Sequence, residues 1–510
     1  MKKKDINIKI FQKALKTEPA LSFINKVLKK FSQAEIYLVG GAVRDIILKR
    51  KTKDFDFVVR NLSAKKLENF LKKSGKVNLV GKSFGVFKFV PKNSKIEAID
   101  IALPRTEHSL KMTGGYRDFK VQSKARLPIE KDLKRRDFTI NALAYDIKNK
   151  KLIDKFNGLS DLASKQIRAV GQAEKRFKED YTRILRALRF CCQLSFELEE
   201  KTAKAIKNFS LKLKSKSLAR EVMAKELLNT FEANPLRAFD IFDEMNIFKH
   251  LIPEIENLKG VPQPVRYHSE GDVFVHTRLA LEKLNSPLYK KIMPGRTKDP
   301  EVILAIIFHD IGKAKTIRTP KKDGTNRIRF DAHDTIGAEM TSDIIDRLKL
   351  ESTGKVKKEN IIWLVKRHML LIVDDPYNLR ASTVEKIFFN PRVPGEKLLK
   401  IILADTLGSL PAKGKANTKS LEKMLKRIKE MKNMDKKRKA LPKPLINGHD
   451  IIKNLNIKRG PLIGELLSIA REQQLNSQIK NKKQALEFLK NYLYAKKNKS
   501  KSESRKRKTG

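Results

Sequence analysis

Leu38-Val39-Gly40-Gly41-Ala42-Val43-Arg44-Asp45 and, just downstream, Lys53-Asp54-Phe55-Asp56-Phe57 decide how this chain folds at its start. The first stretch takes a short apolar strand through two glycines and reaches an arginine where a helix would open. In that arrangement backbone amides and a helix N-terminus face phosphate oxygens, and Arg44 adds a charge-assisted contact. A glycine pair after a strand is most often a plain turn, so the second stretch carries the weight. Its aspartates lie two apart on a β-type run, which sends both carboxylates from one face while Phe55 and Phe57 enter the core. Carboxylates that close repel, and hard divalent cations such as Mg²⁺ relieve the repulsion. The bland alternative is a solvated edge strand.

Two such ions commonly need a third acidic ligand. The next β-like run, Lys95 to Ala102, offers Glu97 and Asp100, and their odd spacing lets only one of them face the pair. One ion would then activate a 3′-hydroxyl and the other stabilise a leaving pyrophosphate, the two-metal pattern of in-line phosphoryl transfer. The chemistry this predicts is nucleotidyl transfer.

Outward from these stretches, Ile36 to Val39 and Phe55 to Val59 are short strands with a helix-like segment between them, so residues up to about 150 form an α/β head. From 151 the apolar spacing turns helical, clearest over Tyr181 to Leu194 and Leu218 to Phe231. The fold class is therefore α+β: a small nucleotidyltransferase-type head on a mostly α-helical body. A break at Gly260-Val261-Pro262-Gln263-Pro264 and a basic, proline-ended linker from Lys432 to Pro444 set further boundaries. The expected organisation is a head over 1–150, a helical neck over 151–260, a histidine-bearing domain over 261–431, a C-terminal helical segment over 432–495 and a tail over 496–510. The tail is almost wholly lysine, arginine, serine and glycine, so it is expected to be disordered.

Lysine and arginine number 112 against 58 aspartates and glutamates, a formal charge of +54 over 510 residues. Such a field attracts a polyphosphate such as RNA and exceeds what a small metabolite needs, although a lysine-rich proteome would share the explanation. The two cysteines, Cys191 and Cys192, are adjacent in an apolar helix and pack as small hydrophobes, which fits a reducing cytoplasm. Neither a secretory signal nor a membrane span is visible, so no membrane partner is expected.

Arg135-Arg136-Asp137-Phe138-Thr139-Ile140-Asn141-Ala142 and Glu179-Asp180-Tyr181-Thr182-Arg183-Ile184-Leu185-Arg186-Ala187-Leu188-Arg189-Phe190 complete a set. Taken alone, the second is an amphipathic helix whose polar face carries Asp180, Arg183 and Arg186, which a surface ion pair would explain. In this order, however, the motifs closely resemble the class II tRNA nucleotidyltransferase and poly(A) polymerase family. The resemblance implies that Gly40, Gly41 and Arg44 form the triphosphate-binding turn, that Asp54 and Asp56 hold the catalytic metals, and that Arg136 and Asp137 contact the ribose. Asp180 and Arg183 would hydrogen-bond the incoming base in place of a template, and Arg186 and Arg189 would face phosphates from the same helix. The family's acidic residue five positions before an arginine selects Asp100, before Arg105, over Glu97. The loop from Pro104 to Phe119 resembles the family loop that governs switching from C to A, and its Tyr116-Arg117-Asp118 does not itself say which nucleotides are accepted. Leu445-Ile446-Asn447-Gly448 and Arg459-Gly460-Pro461-Leu462-Ile463-Gly464 look like the family's C-terminal tRNA-contacting segment.

Four of eight histidines fall between 276 and 368: His276, His309 in Phe308-His309-Asp310-Ile311-Gly312-Lys313, His333 and His368. Imidazole and carboxylate donors suit a transition metal such as Mn, Fe, Ni or Zn, and His309-Asp310 could chelate or bridge ions. The segment resembles an HD-domain phosphohydrolase, with His276, His309, Asp310 and Asp405 matching its metal ligands and His333 and His368 completing a second metal site or binding phosphate. Some bacterial relatives with an appended HD domain hydrolyse phosphate esters, including 2′,3′-cyclic ends. The competing reading is a degenerate HD fold that binds RNA without hydrolysis.

The resemblance thus implies a CCA-adding enzyme that takes CTP and ATP to a tRNA 3′ end with Mg²⁺ at the head and a second, transition-metal centre in the HD segment. The rivals are a poly(A) polymerase or A-adding enzyme, and a non-catalytic RNA-binding protein on an old polymerase scaffold. The HD segment favours tRNA, and an intact carboxylate pair disfavours the binding module.

Overall fold

The computed structural model describes residues 8–52, 54–80, 86–92, 98–109, 119–295, 298–372, 375–434 and 441–506. The chain divides into two compact units, Met1–Glu256 with Ile344–Gly354, and Asn257–Asp343 with Lys355–Gly510. The boundary after Glu256 lies beside the proline-rich break. The return of Ile344–Gly354 to the first unit was not foreseen. There, buried Leu348 and Leu350 pack near the helix Arg220–Ala233, and Arg347 pairs with Glu254 at 2.8 Å.

The strands of the first unit are β1 (Glu35–Val39), β2 (Asp56–Arg60), β3 (Gly75–Val80), β4 (Val86–Pro91), β5 (Ile99–Ala102), β6 (Arg105–Ser109), β7 (Phe119–Ser123), β8 (Leu143–Asp146) and β9 (Lys151–Asp154). Seven form one mixed sheet in the order β3-β4-β5-β2-β1-β8-β9, while β6 and β7 pair as a separate antiparallel hairpin. Apolar alternation explains the sheet: Phe57, Phe87, Phe89 and Ile101 are fully buried, and Phe23 stacks edge-on against Phe57 and Phe89. β2 runs antiparallel to β1 and parallel to β5, which registers Asp56 with Val39 on one side and Asp100 on the other. Because β9 still belongs to this sheet, the head extends past the boundary expected at 150. Asp54 also departs from expectation: it precedes β2, exposed on extended backbone, instead of lying within the strand. Phe55 is nevertheless buried like Phe57, so the alternation that sets the two aspartates on one side holds.

Helices carry the rest of the first unit, among them Thr182–Leu194 and Arg220–Ala233, which pack against each other. In the second unit the helices Val273–Lys283, Pro300–Phe308, Lys358–Arg367 and Gly395–Gly408 enclose an apolar core that includes Ile306, Leu364 and Leu403. The C-terminal helices Gly448–Leu455, Pro461–Leu475 and Lys482–Lys506 close around Ile451, Leu466, Ala485 and Leu489. The tail expected to be disordered is helical through Lys506. The packed first half of this helix, around Ala485 and Leu489, nucleates it, and the following run, free of glycine and proline, continues it.

Glu472 ties this C-terminal segment to the helix Ala381–Phe388. Its carboxylate accepts from the backbone N–H groups of Ala381 at 2.7 Å and Ser382 at 2.8 Å and from the Ser382 hydroxyl at 2.7 Å. A side chain distant in sequence thereby caps a helix N-terminus, which favours an anion there. Glu472→Ala is expected to cost about 1–3 kcal/mol in urea unfolding, because it strands two amides and a hydroxyl. An unchanged unfolding midpoint would show that solvent satisfies them equally well.

Candidate functional site

Gly40 closes the turn between β1 and the helix Gly41–Ile47 with φ +72°, a left-handed conformation that suits glycine. A Cβ there would come within 2.6 Å of Arg136 Nη1 and 3.5 Å of Asp56 Oδ2. The turn therefore lies against both the strand carboxylate and the arginine of the Arg135-Arg136-Asp137 motif. Gly40→Ala adds backbone strain of about 1–3 kcal/mol and pushes Arg136 from its place. The expected result is a lower melting temperature and a raised KM for nucleoside triphosphate; unchanged kinetics would show that the turn tolerates a side chain.

Asp54, Asp56 and Asp100 share one electrostatic neighbourhood. Burial raises the Asp56 carboxyl from 3.8 to about 6; the Arg136 charge opposes that rise, while Asp54 and Asp100 add to it. Burial likewise raises Asp100, against the pull of Lys88 and with Asp54 adding to the rise. Carboxylates held above their usual range by burial and mutual repulsion are the donor set that a hard divalent cation stabilises, so Mg²⁺ fits these residues. Glu97 and the segment Tyr116-Arg117-Asp118 lie outside the described residues.

A cavity of about 470 Å³ opens beside this carboxylate group, a size in the range of nucleotide-sized clefts. Asp56, Asp100, Arg136, Asp137, Asp180, Arg183 and Arg186 all line it. Asp137 is buried, and its Oδ2 accepts from Arg186 Nε at 2.9 Å and Nη2 at 2.5 Å, while Oδ1 accepts from Phe138 N at 2.9 Å and Asn141 Nδ2 at 3.3 Å. Burial pushes its pKa up, but the Arg186 charge and these bonds outweigh it and hold the carboxyl well below the usual range. Asp180 Oδ1 accepts from Thr182 N at 2.9 Å and Thr182 Oγ1 at 2.6 Å, at the first residue of the helix Thr182–Leu194. Arg183 is held by Glu179 Oε2 at 2.7 Å and the Arg176 carbonyl at 3.1 Å. Asp180 and Arg183 thus share a cavity wall, each fixed by its own neighbours.

Of the expected site residues, Gly40, Gly41, Arg44, Asp54 and Arg189 are not in the cavity lining. Arg44 is buried, with its guanidinium donating to Asp45 at 2.9 and 3.0 Å and to Asn141 at 2.7 Å, over the Phe190 ring. Arg189 donates to Glu226 Oε2 at 2.6 Å and to Gln193 at 3.0 Å. An acidic partner holds each guanidinium, Asp45 for Arg44 and Glu226 for Arg189. The sequence reading missed Asp132 and Glu226. Asp132, fully buried, pairs with Arg135 at 2.8 Å and Arg136 at 3.6 Å and accepts from the Arg105 amide at 3.3 Å. Glu226 pairs with Arg189 and lies 3.7 Å from Arg186. An acidic residue on the buried face of an apolar helix was the available signal for Glu226.

The second unit gathers the histidines. His276 Nε2 lies 2.9 Å from Asp405 Oδ1 and 3.3 Å from His309 Nε2, and His309 Nε2 lies 3.1 Å from Asp310 Oδ2. On the other oxygen of Asp310, His333 Nε2 stands at 3.5 Å and His368 Nε2 at 3.6 Å, and these two nitrogens are 3.3 Å apart. Nδ1 of His309, His333 and His368 donates to the carbonyls of Ile306, Phe330 and Val365. That fixes the tautomer and turns bare Nε2 lone pairs toward one another. Asp310 Oδ2 is 2.7 Å from Lys313 Nζ yet receives no directed hydrogen bond. Facing lone pairs around a carboxylate call for a proton or a metal ion between them, so His276, His309 and Asp310, and Asp310, His333 and His368, are donor sets that would suit a metal ion. Burial disfavours the His276 imidazolium, but Asp405 and Glu270 hold its pKa up at about 9. The sequence reading also missed Glu270, whose Oε1 is 3.0 Å from His276 Nδ1 and 2.7 Å from His268 Nδ1.

Among the described residues no helix is long and apolar enough to cross a membrane.

Residues 36–168 match the poly A polymerase head domain, 267–407 the HD domain and 408–489 the tRNA nucleotidyltransferase domain 2. The chain is 35% identical over 382 residues to the multifunctional CCA protein of Neisseria gonorrhoeae, covering 74% of this chain and 84% of that one. It is 33% identical over 354 residues to that of Nitrosococcus oceani, 69% of this chain and 78% of the other. In fold it is similar to the Bacillus stearothermophilus CCA-adding enzyme in complex with CTP, with a TM-score of 0.61 at 22% identity over 96% of this chain and 99% of that one. The Thermotoga maritima CCA-adding enzyme complexed with tRNA gives 0.57 at 23% identity over 94% and 98%. With a polymerase-type head ahead of an HD domain and identity at this level over most of both chains, the protein belongs to the multifunctional CCA protein family of nucleotidyltransferases.

Proposed function

We propose that the head adds CMP and AMP to the 3′ end of tRNA from CTP and ATP. The observation that carries this reading is the shared cavity in which strand carboxylates Asp56 and Asp100 meet the helix residues Asp180 and Arg183. Thr182 bonds Asp180 through Oδ1 with both its amide and its hydroxyl, which turns Oδ2 to a base amino group. Cytosine and adenine each present an amino group beside a ring-nitrogen acceptor, so a carboxylate acceptor and a guanidinium donor read both, as tRNA extension by C and then A needs. Asp54, Asp56 and Asp100 would hold Mg²⁺, which when bound activates the attacking hydroxyl and neutralises the leaving pyrophosphate. Arg136, beside the Gly40 turn, is placed to meet the sugar and phosphates, and the Asp137–Arg186 pair fixes the wall behind them. The test supplies tRNA lacking its 3′ CCA with CTP alone, ATP alone or both, and reads product length at single-nucleotide resolution. Two additions with CTP and a third that requires ATP support the reading, whereas ATP-only tailing favours a poly(A)-type enzyme.

A second reading concerns the HD segment, and the convergent Nε2 atoms favour it. His276, His309, Asp310 and Asp405 would hold one ion and Asp310, His333 and His368 another, supplying Lewis-acid hydrolysis of phosphate esters when loaded. Ester hydrolysis at the RNA 3′ end would clear it for extension.

A further inference from the structure

Beside the histidine cluster lies a second cavity of about 800 Å³ whose walls divide by chemistry. His333 and Asp405 of the metal cluster line one part, and Lys313, Arg327, Arg329 and Lys415 supply cations. An apolar part of the wall carries Met369 and two of the large hydrophobic side chains that stand exposed on this protein, Tyr267 at 50% and Ile372 at 67%, while Asp331, Thr406, Ser409 and Asn417 add polar groups elsewhere in the lining. A phosphate group needs only the cations and the histidine cluster. An exposed aromatic ring on a cavity wall offers a flat apolar face that a bound planar group can cover. Tyr267 already carries the Arg266 guanidinium 5.5 Å from its ring centroid, and a ring stacked by a cation on one side can take a flat π-system on the other.

We propose that Tyr267 is the stacking platform for the base of a nucleotide whose phosphate ester lies at the histidine cluster, so that this cavity selects nucleoside phosphates over simple phosphate esters. The proposal rests on the reading of the HD segment as a hydrolase and adds to it a specificity-determining residue. Charge complementarity fits one occupant with three parts: an anionic ester at the cations and histidines, a sugar of no fixed demand, and a planar base at Tyr267 and Ile372. Because Tyr267 is half-exposed and its bond to the Pro264 carbonyl comes from its backbone N–H, its side chain can be removed without disturbing the core.

The experiment compares the full-length wild type, Tyr267→Ala and Tyr267→Phe, each loaded with Mn²⁺. Three esters are used: a nucleoside 2′,3′-cyclic phosphate, an RNA oligomer with the same terminal group, and glycerol 2-phosphate. Tyr267→Ala is expected to raise KM for the nucleoside ester roughly tenfold, the scale of one base–aromatic stack, with kcat unchanged. Turnover of glycerol 2-phosphate stays at the wild-type value, and Tyr267→Phe restores the nucleoside KM. A loss shared by the mononucleotide and the oligomer places any terminal nucleotide here, whereas a loss on the oligomer alone restricts the site to an RNA end. Equal losses on all three esters, or no loss on any, overturn the proposal. Binding of a nucleoside 2′-monophosphate and of inorganic phosphate is titrated in parallel. If the wild type hydrolyses no ester, the hydrolase reading fails, and the Kd of Tyr267→Ala decides the platform alone: weakened nucleotide binding with unaltered phosphate binding supports it, and unaltered nucleotide binding overturns it.

Discussion

Replacing Asp56 by asparagine is expected to cut nucleotide addition on the order of 10³-fold, the several kcal/mol of charge stabilisation that a metal-binding carboxylate supports. The same change should make the cation-free protein more stable at neutral pH. Burial and the charges of Asp54 and Asp100 outweigh the attraction of Arg136 and lift the folded-state pKa of Asp56 from 3.8 to about 6. Ionising Asp56 therefore costs stability as pH rises from 3.8 through about 6, and at pH 7 the whole cost applies, on the order of 2–3 kcal/mol. Asparagine removes that charge while Arg136 keeps its partner Asp132. In metal-free buffer at pH 7 the variant should melt above the wild type; at pH 4 the gap should close, and Mg²⁺ should raise only the wild type. A variant that still extends tRNA, or one that melts below the wild type at pH 7, would sink the assignment. Hydrolysis at the HD segment should be unaltered.

The parts of this site that local spacing specifies could be read from the sequence. Alternation through Phe55-Asp56-Phe57, the glycine turn ahead of it and the helical phase of Asp180 and Arg183 each depend on neighbours a few residues away, and the fold keeps them together. The register that sets Asp100 beside Asp56 is a property of the sheet, and only the family pattern pointed to it. Charge pairing over long separations was hidden. Arg186 reaches Asp137 across 49 positions and Arg189 reaches Glu226 across 37. Arg44, read beside the glycine turn, and Arg189, set against phosphates by the resemblance, each have their guanidinium held by a nearby carboxylate in the fold. The tail failed for the opposite reason. Composition measures the ability to bury apolar surface, whereas the backbone of a helix already nucleated at Ala485 and Leu489 runs on to Lys506. Glu270 escaped notice because a single acidic residue six positions before His276 becomes informative only once its side chain is seen to bridge two imidazoles.

The two proposed centres should also separate by mutation, and His309→Ala is the counterpart that tests the second. His309 is buried, its Nδ1 spent on the Ile306 carbonyl and its Nε2 turned to His276, Asp310 and Asp405. Removing the ring deletes one donor from the group containing His276 and leaves Asp310, His333 and His368 in place. The metal content after equilibration with Mn²⁺ and dialysis should therefore fall by one ion per chain instead of vanishing. The stranded Ile306 carbonyl and the small void cost about 1–3 kcal/mol, which a thermal melt will register without loss of the fold. Hydrolysis of a 2′,3′-cyclic RNA end should disappear, while extension of a trimmed tRNA by CTP and ATP should match the wild type. Retained hydrolysis would show that the His333–His368 group suffices, and extension lost in a normally melting variant would mean that the histidine centre serves the head's reaction and not a separate one. The Asp56 and His309 variants give opposite patterns only if one chain carries two chemistries, because a scaffold that merely bound RNA would lose neither activity selectively.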